Sequence, residues 1–215
     1  MDDDSSLAHR LARSPWTPVA VLIGCVCVMW AVEIIDTVML DDRLQDNGIG
    51  PRHLDRILGI IWAPWLHSDY GHVLSNTVPF IALGWLVSLR GLRYWFAVTV
   101  VSMVGGGALT WLVAGGSNHI GSSGVVFGYF GALLGAAVFE RRPAALAPAL
   151  VAMLLYSGLL TGLVPQEAIS WEGHLFGLIA GFAVSRSLLK GPLGRRRSVL
   201  EKEPYAWEAD EPWLD

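Results

Sequence analysis

The chain has 215 residues, of which 53% are hydrophobic and 16% charged, with 15 Lys+Arg against 19 Asp+Glu, a net charge of −4 and a mean hydropathy of +0.47. Soluble domains carry about 25% charged residues. The figures therefore exclude a disordered chain, a soluble enzyme with a charged skin and a nucleic-acid binder driven by basic charge, so no nucleic-acid partner is expected.

In chain order, Asp2–Asp4 put negative charge where a secretory signal would be positive, and no small-residue cleavage site follows. Residues 1–16 read as a cytoplasmic segment. Ser14–Val32 then runs 19 residues without Asp, Glu, Lys or Arg. A membrane helix needs about 20 apolar residues, and a central Asp, Lys or Arg costs about 2.5–3.5 kcal/mol on insertion scales. The first span is placed at about 17–39, with Cys25 and Cys27 as small buried hydrophobes rather than a disulfide or metal pair. Residues 40–71 form an outer loop whose Trp62, Pro64 and Trp65 suit the membrane interface.

Tyr70–Leu89 is charge-free for 20 residues and gives a span at about 72–89. Tyr94–Phe139 is charge-free for 46, too long for one span, and breaks at the turn-rich 115–122 stretch into spans at about 94–114 and 123–139. Pro143–Gln166, charge-free for 24, gives a span at about 145–164. A sixth, at about 171–189, is apolar except for Glu172 and Arg186 near its ends. The expected fold class is all-α: a polytopic membrane protein with a six-transmembrane-helix membrane domain over 17–189, in contact with membrane lipids. The 190–215 tail begins basic and ends acidic, and is expected to be cytoplasmic and disordered.

Six spans sort the cations cleanly. One side collects eleven Lys and Arg, from the N-terminal segment, the 90–93 and 140–143 turns and the tail. The other has only Arg43, Arg52 and Arg56. The cation-rich side is cytoplasmic, which places both termini there.

Polar groups inside a membrane are costly and are functional candidates by default. His72, Asn76, Ser123 and His174 each lie near the start of span two, four or six, which all start on the outer side, so they share a shallow depth. His72 and Asn76, four residues apart, share a helix face. Gly124, Gly128, Gly131 and Gly135 form a stripe on span four, and Gly173, Gly177 and Gly181 one on span six. At 100° per residue His174 falls within about 20° of Gly181, so it points at a closely packed neighbour, and span four is the natural one. A serine at a helix start opposite an inward histidine suggests nucleophile and general base. The Ser123 N–H, His72 and Asn76 would be donors to a developing oxyanion. Ser122 and Ser123 remain alternatives for helix cap and nucleophile. His53, His67 and His119 read as loop histidines. No metal-ligand spacing or phosphate loop is present in the sequence, and no cofactor or metal is expected.

These motifs resemble those of the rhomboid intramembrane serine proteases. Gly121-x-Ser123-Gly124 opens a glycine-rich span, His72-x-x-x-Asn76 lies in an earlier one, and His174-x-x-Gly177-x-x-x-Gly181 lies in the last. Leu66-His67 before span two adds to the likeness, which covers about 56–189 and looks closest to bacterial members with a six-helix core. The resemblance implies a plasma-membrane protease with a Ser123–His174 dyad and no third acid. It implies an oxyanion hole helped by His72 and Asn76, with Gly121 and Gly124 shaping the backbone around the nucleophile. The implied substrate is a transmembrane segment of another protein, cut near the outer surface. Two positions depart from the family pattern. Phe127 stands where an aromatic, often Tyr, packs on the histidine, and no clear Trp-Arg pair follows span one, although Arg56 stands near its place. A non-cleaving relative that binds client helices is the alternative, usually marked by loss of Ser or His. A pore would need polar groups spread through the depth of the membrane, and here they gather at one end.

Overall fold

The structure is a computed structural model describing residues 16–116, 118–166 and 169–190. The expected 190–215 tail beyond Lys190 and the N-terminal segment before Trp16 lie outside the described residues. Six long helical segments organise the rest: α1 (Thr17–Met39), α2 (Tyr70–Ser88), α3 (Leu92–Val113), α4 (Ser123–Glu140), α5 (Pro143–Tyr156) and α6 (Trp171–Lys190). No strand occurs among the described residues, only isolated bridges. Four segments are long and apolar enough to cross a membrane by length and composition: Thr17–Met39, Leu92–Val113, Ser123–Glu140 and Pro143–Leu163. The other two are α2, which carries His72 and Asn76, and α6, which carries His174.

α4 is the centre of the molecule. Val125, Val126, Phe127, Tyr129, Phe130, Ala132, Leu133 and Ala136 are all buried, so this helix is apolar all round and surrounded by its neighbours. Its glycine stripe faces that of α6. A Cβ on Gly177 would run into the Gly124 carbonyl, and one on Gly181 into the Gly128 carbonyl. Only hydrogen at these positions lets the two backbones meet, and in an apolar solvent such close packing is what holds helices together. α3 reaches the same seam through a π-helical turn, Ser102–Gly106, which brings Gly106 against Gly177.

The outer helices lean on this pair. α1 packs on α2, with Trp30 Nε1 donating to Thr77 Oγ1 at 3.0 Å and its ring stacked on Tyr70. At the opposite end, Arg90 grips both oxygens of Glu140, tying the turn after α2 to the end of α4.

The 40–69 loop is built rather than loose. The buried Asp36 carboxylate, near the end of α1, accepts from the N–H groups of Leu44 (2.8 Å) and Gln45 (3.1 Å), which turns the chain back on itself. Ile49 and His119 pair as an antiparallel bridge (2.9 and 3.0 Å). Arg52 Nη1 donates to the Ala114 carbonyl at 2.7 Å, and Arg56 reaches both Asn118 Oδ1 and the Asp46 carbonyl. The loop thus clamps the 114–121 segment that leads into Ser123.

The fifth segment spans Pro143–Leu163, close to the expected 145–164. Its winding changes on the way: the α-helix ends at Tyr156 and tightens into a 3-10 stretch, Ser157–Leu163, where Gly158 and Gly162 weaken helix propensity. One local expectation needs correction. Cys27 is exposed on α1 rather than buried, while Cys25 is half-buried.

Candidate functional site

Ser123 is the first residue of α4, so its backbone N–H has no partner one turn earlier and its side chain stands at the positive end of the helix dipole. The turn before it depends on Gly121, whose φ of +100° lies in the region that favours glycine. The Gly121 N–H is committed to the Ala63 carbonyl at 2.9 Å, fastening the turn to the outer loop. Ser122 occupies the cap position but makes no side-chain cap bond, and its buried hydroxyl has no partner.

His174 sits one turn into α6, 9% exposed. The glycine seam brings it to α4, where its Nε2 lies 2.8 Å from Ser123 Oγ. Its Nδ1 lies 2.8 Å from the Gly162 carbonyl oxygen, and Phe127 stacks on the ring face at a centroid distance of 4.3 Å. Of the two candidate serines, it is Ser123 that meets the histidine.

His72 and Asn76 face the same turn from α2. A Cβ on Gly121 would lie 2.7 Å from His72 Nε2 and 3.6 Å from Asn76 Nδ2, so both side chains converge where Gly121 has none. Asp69 caps α2 by accepting from the His72 N–H at 2.9 Å, which holds its carboxyl below the usual range. The Ser68 N–H lies 3.4 Å from His72 Nδ1. With that nitrogen accepting, a neutral His72 carries its proton on Nε2, aimed at the Gly121–Ser123 turn. Asn76 Nδ2 spends one hydrogen on the His72 carbonyl (3.0 Å) and keeps the other.

A cleft of about 630 Å³ opens over these groups, lined among others by His72, Asn76, Ser123, Phe127, Gly162 and His174. The predicted residues are thus brought together: Ser123, His174, His72 and Asn76 on the cleft, Gly121 in the turn, Gly124 in the first turn of α4, and Gly177 and Gly181 at the seam beneath. Among the described residues no group of three or more His, Cys, Asp or Glu side chains is placed to hold a metal.

Two histidines read as simple loop residues are more embedded than expected. His119 is 3% exposed and its Nδ1 contacts Ser170 Oγ, linking the segment before Ser123 to the residue whose carbonyl accepts from the His174 N–H. His67 is 2% exposed and edge-on to His72, with both ring nitrogens shut away from solvent. Burial, followed by the neighbouring His72, pushes its imidazole down to about 3. Neither contact has a sequence signature, since both depend on loops folding back from distant parts of the chain.

The helices and this site define an integral membrane protein in contact with lipid, built around a serine–histidine contact at the end of a glycine-packed helix pair. Residues 54–191 match the model of the Rhomboid domain, and the chain belongs to the rhomboid family. An uncharacterized protein of Mycobacterium tuberculosis is 36% identical over 188 residues, covering 83% of this chain and 78% of its own. An uncharacterized protein of Mycobacterium leprae is 35% identical over 190 residues, covering 84% and 74%. RHOMBOID-like protein 5 of Arabidopsis thaliana is 27% identical over 136 residues, covering 60% of this chain and 43% of the plant protein.

Proposed function

We propose that the protein is an intramembrane serine endopeptidase that cleaves transmembrane segments of other membrane proteins near the outer surface. The observation that carries the reading is the 2.8 Å contact between Ser123 Oγ and His174 Nε2 on the floor of an open cleft. His174 takes the serine proton as Oγ attacks the scissile carbonyl, then delivers it to the departing amine. The negative charge that develops on the substrate oxygen is met by the Ser123 N–H, the His72 Nε2–H and the free amide hydrogen of Asn76. Water admitted through the cleft then hydrolyses the acyl-enzyme. A substrate helix has to unwind to present its carbonyl, so segments carrying Gly or Pro near their outer ends are preferred.

The reading includes six spans, with α2 and α6 crossing alongside the four apolar segments, and both termini in the cytoplasm. Clustering of the cations on one side supports that orientation, and the mycobacterial relatives support a bacterial plasma membrane. A non-cleaving, client-binding relative is disfavoured because serine and histidine are both present and in contact. The test is cleavage, in proteoliposomes, of a pool of single-span reporter helices with Gly or Pro at varied depth, with products identified by mass spectrometry. Ser123→Ala and His174→Ala should each abolish the products while the protein stays folded. Cleavage by either variant would sink the assignment.

A further inference from the structure

We infer that the carbonyl oxygen of Gly162 is a third working part of the site: it holds the Nδ1–H of His174 and thereby fixes the ring in the tautomer whose Nε2 lone pair faces Ser123. The inference rests on the reading of His174 as base and deepens it.

The argument begins with the donors and acceptors. A carbonyl oxygen only accepts, so a hydrogen bond across the 2.8 Å gap to Gly162 requires the proton on Nδ1. A neutral imidazole then has an unprotonated Nε2, and that nitrogen lies 2.8 Å from Ser123 Oγ. In the opposite tautomer Nε2–H would face the serine and could not take its proton. A histidine ligand or base is commonly oriented through the bond its other nitrogen makes. Among the described residues no carboxylate contacts this ring. Its partners among the described residues are Ser123, the Gly162 carbonyl and the face of Phe127.

The carbonyl is also held in place. Gly162 is the last residue but one of the 3-10 stretch after α5. The preceding Thr161 carbonyl accepts from Gln166 Nε2 (3.1 Å) and from the Val164 N–H (3.1 Å), while Thr161 Oγ1 donates to the Gly158 carbonyl (2.7 Å). These bonds close a turn that presents the Gly162 oxygen to the cleft. The residue itself has to be small. A Cβ on Gly162 would stand 2.9 Å from His174 Nδ1, 3.3 Å from its Cε1 and 3.3 Å from Phe127 Cζ. Phe127 and Gly162 thus pin the ring by its face and its edge. Gly162 is a positioning residue supplied by main chain, and Gln166 is the side chain that steadies it. A neutral carbonyl selects the tautomer as a carboxylate would, without adding a charge to a site within the membrane domain.

The test uses the full chain, labelled with 15N-histidine in detergent micelles, and two-bond 15N–1H correlations at neutral pH. The His174 ring is assigned by its loss in His174→Ala. The expected pattern is the Nδ1–H tautomer, giving way to a mixture in Gly162→Ala. The same variant should react roughly tenfold more slowly at Ser123 with a fluorophosphonate, the worth of about one hydrogen bond. Should Gly162→Ala fail to fold, Gln166→Ala removes support without touching the ring and should slow labelling several-fold with the same loss of a single tautomer. An Nε2–H tautomer in the unaltered protein overturns the inference. So does slower labelling in the folded variant tested, Gly162→Ala or Gln166→Ala, with the Nδ1–H pattern intact, which would mean packing alone. Labelling that persists unchanged in His174→Ala overturns instead the reading of His174 as base.

Discussion

Phe127 lies flat on the imidazole of His174, the two planes within 10° of parallel and their centroids 4.3 Å apart. Both rings belong to the α4–α6 pair, so the seam that joins these helices also sets the angle at which the histidine meets Ser123. Phe127→Leu roughly keeps the volume and should cost under about 1.5 kcal/mol of stability, yet it removes a stacking surface worth about 0.5–1.5 kcal/mol. Turnover of a cleaved reporter should fall about tenfold with the thermal midpoint little changed, as read by reporter cleavage alongside thermal unfolding.

The seam itself is the least tolerant part of the fold. A methyl on Gly177 or Gly181 would meet a backbone carbonyl of α4 that has nowhere to move. Gly177→Ala and Gly181→Ala should each destabilise by several kcal/mol, at or beyond the upper range of about 3 kcal/mol typical of overpacking. Gly24→Ala, where nothing lies within 4 Å, should be silent or slightly stabilising. Thermal unfolding of the three variants in one detergent checks this.

His72 and Asn76 should matter for turnover more than for binding. If they stabilise charge that exists only in the transition state, His72→Ala and Asn76→Ala should each lower kcat about 100-fold, the scale of one lost oxyanion donor, with KM nearly unchanged. Kinetics on a cleaved reporter separate the two parameters.

Stability should depend on pH through His67. Burial holds its imidazole down to about 3, against an ordinary value of 6.5. Below about pH 6.5 the unfolded chain takes up a proton that the folded protein refuses until about pH 3. Stability is therefore fully present above that window and is lost as pH falls through it, by at most about 1.4 kcal/mol per pH unit. Burial lowers His119 in the same direction. A thermal midpoint that declines below pH 6.5, and declines less steeply in His67→Leu, is the expected result.

Much of this architecture was legible because a membrane writes its constraint directly into the chain. The charge-free run through 14–32 located α1, and the 46-residue run divided at its glycine-rich turn into α3 and α4. The meeting of α4 and α6 followed from glycine periodicity, since small residues at helical spacing have few other uses. What stayed hidden was carried by backbone atoms and returning loops. Hydropathy is blind to whether a stretch winds as α or 3-10, so the tightening at Ser157–Leu163 and the carbonyl it presents were invisible. The burial of His119 depends on Ile49, seventy residues away, and no local pattern announces such a pairing. Asp36, an acid inside an expected span, was a clue: it marks where the chain leaves α1 and folds over the site.

The central claim is that Ser123 is a nucleophile activated by His174, and it can be tested without knowing a substrate. The purified protein is treated in mild detergent with a fluorophosphonate or an isocoumarin, and mass spectrometry locates the adduct. The account predicts a single adduct on Ser123 that is lost in Ser123→Ala and in His174→Ala. An adduct on Ser122, an adduct on Ser123 that forms equally without His174, or a folded protein that takes up no label would contradict it.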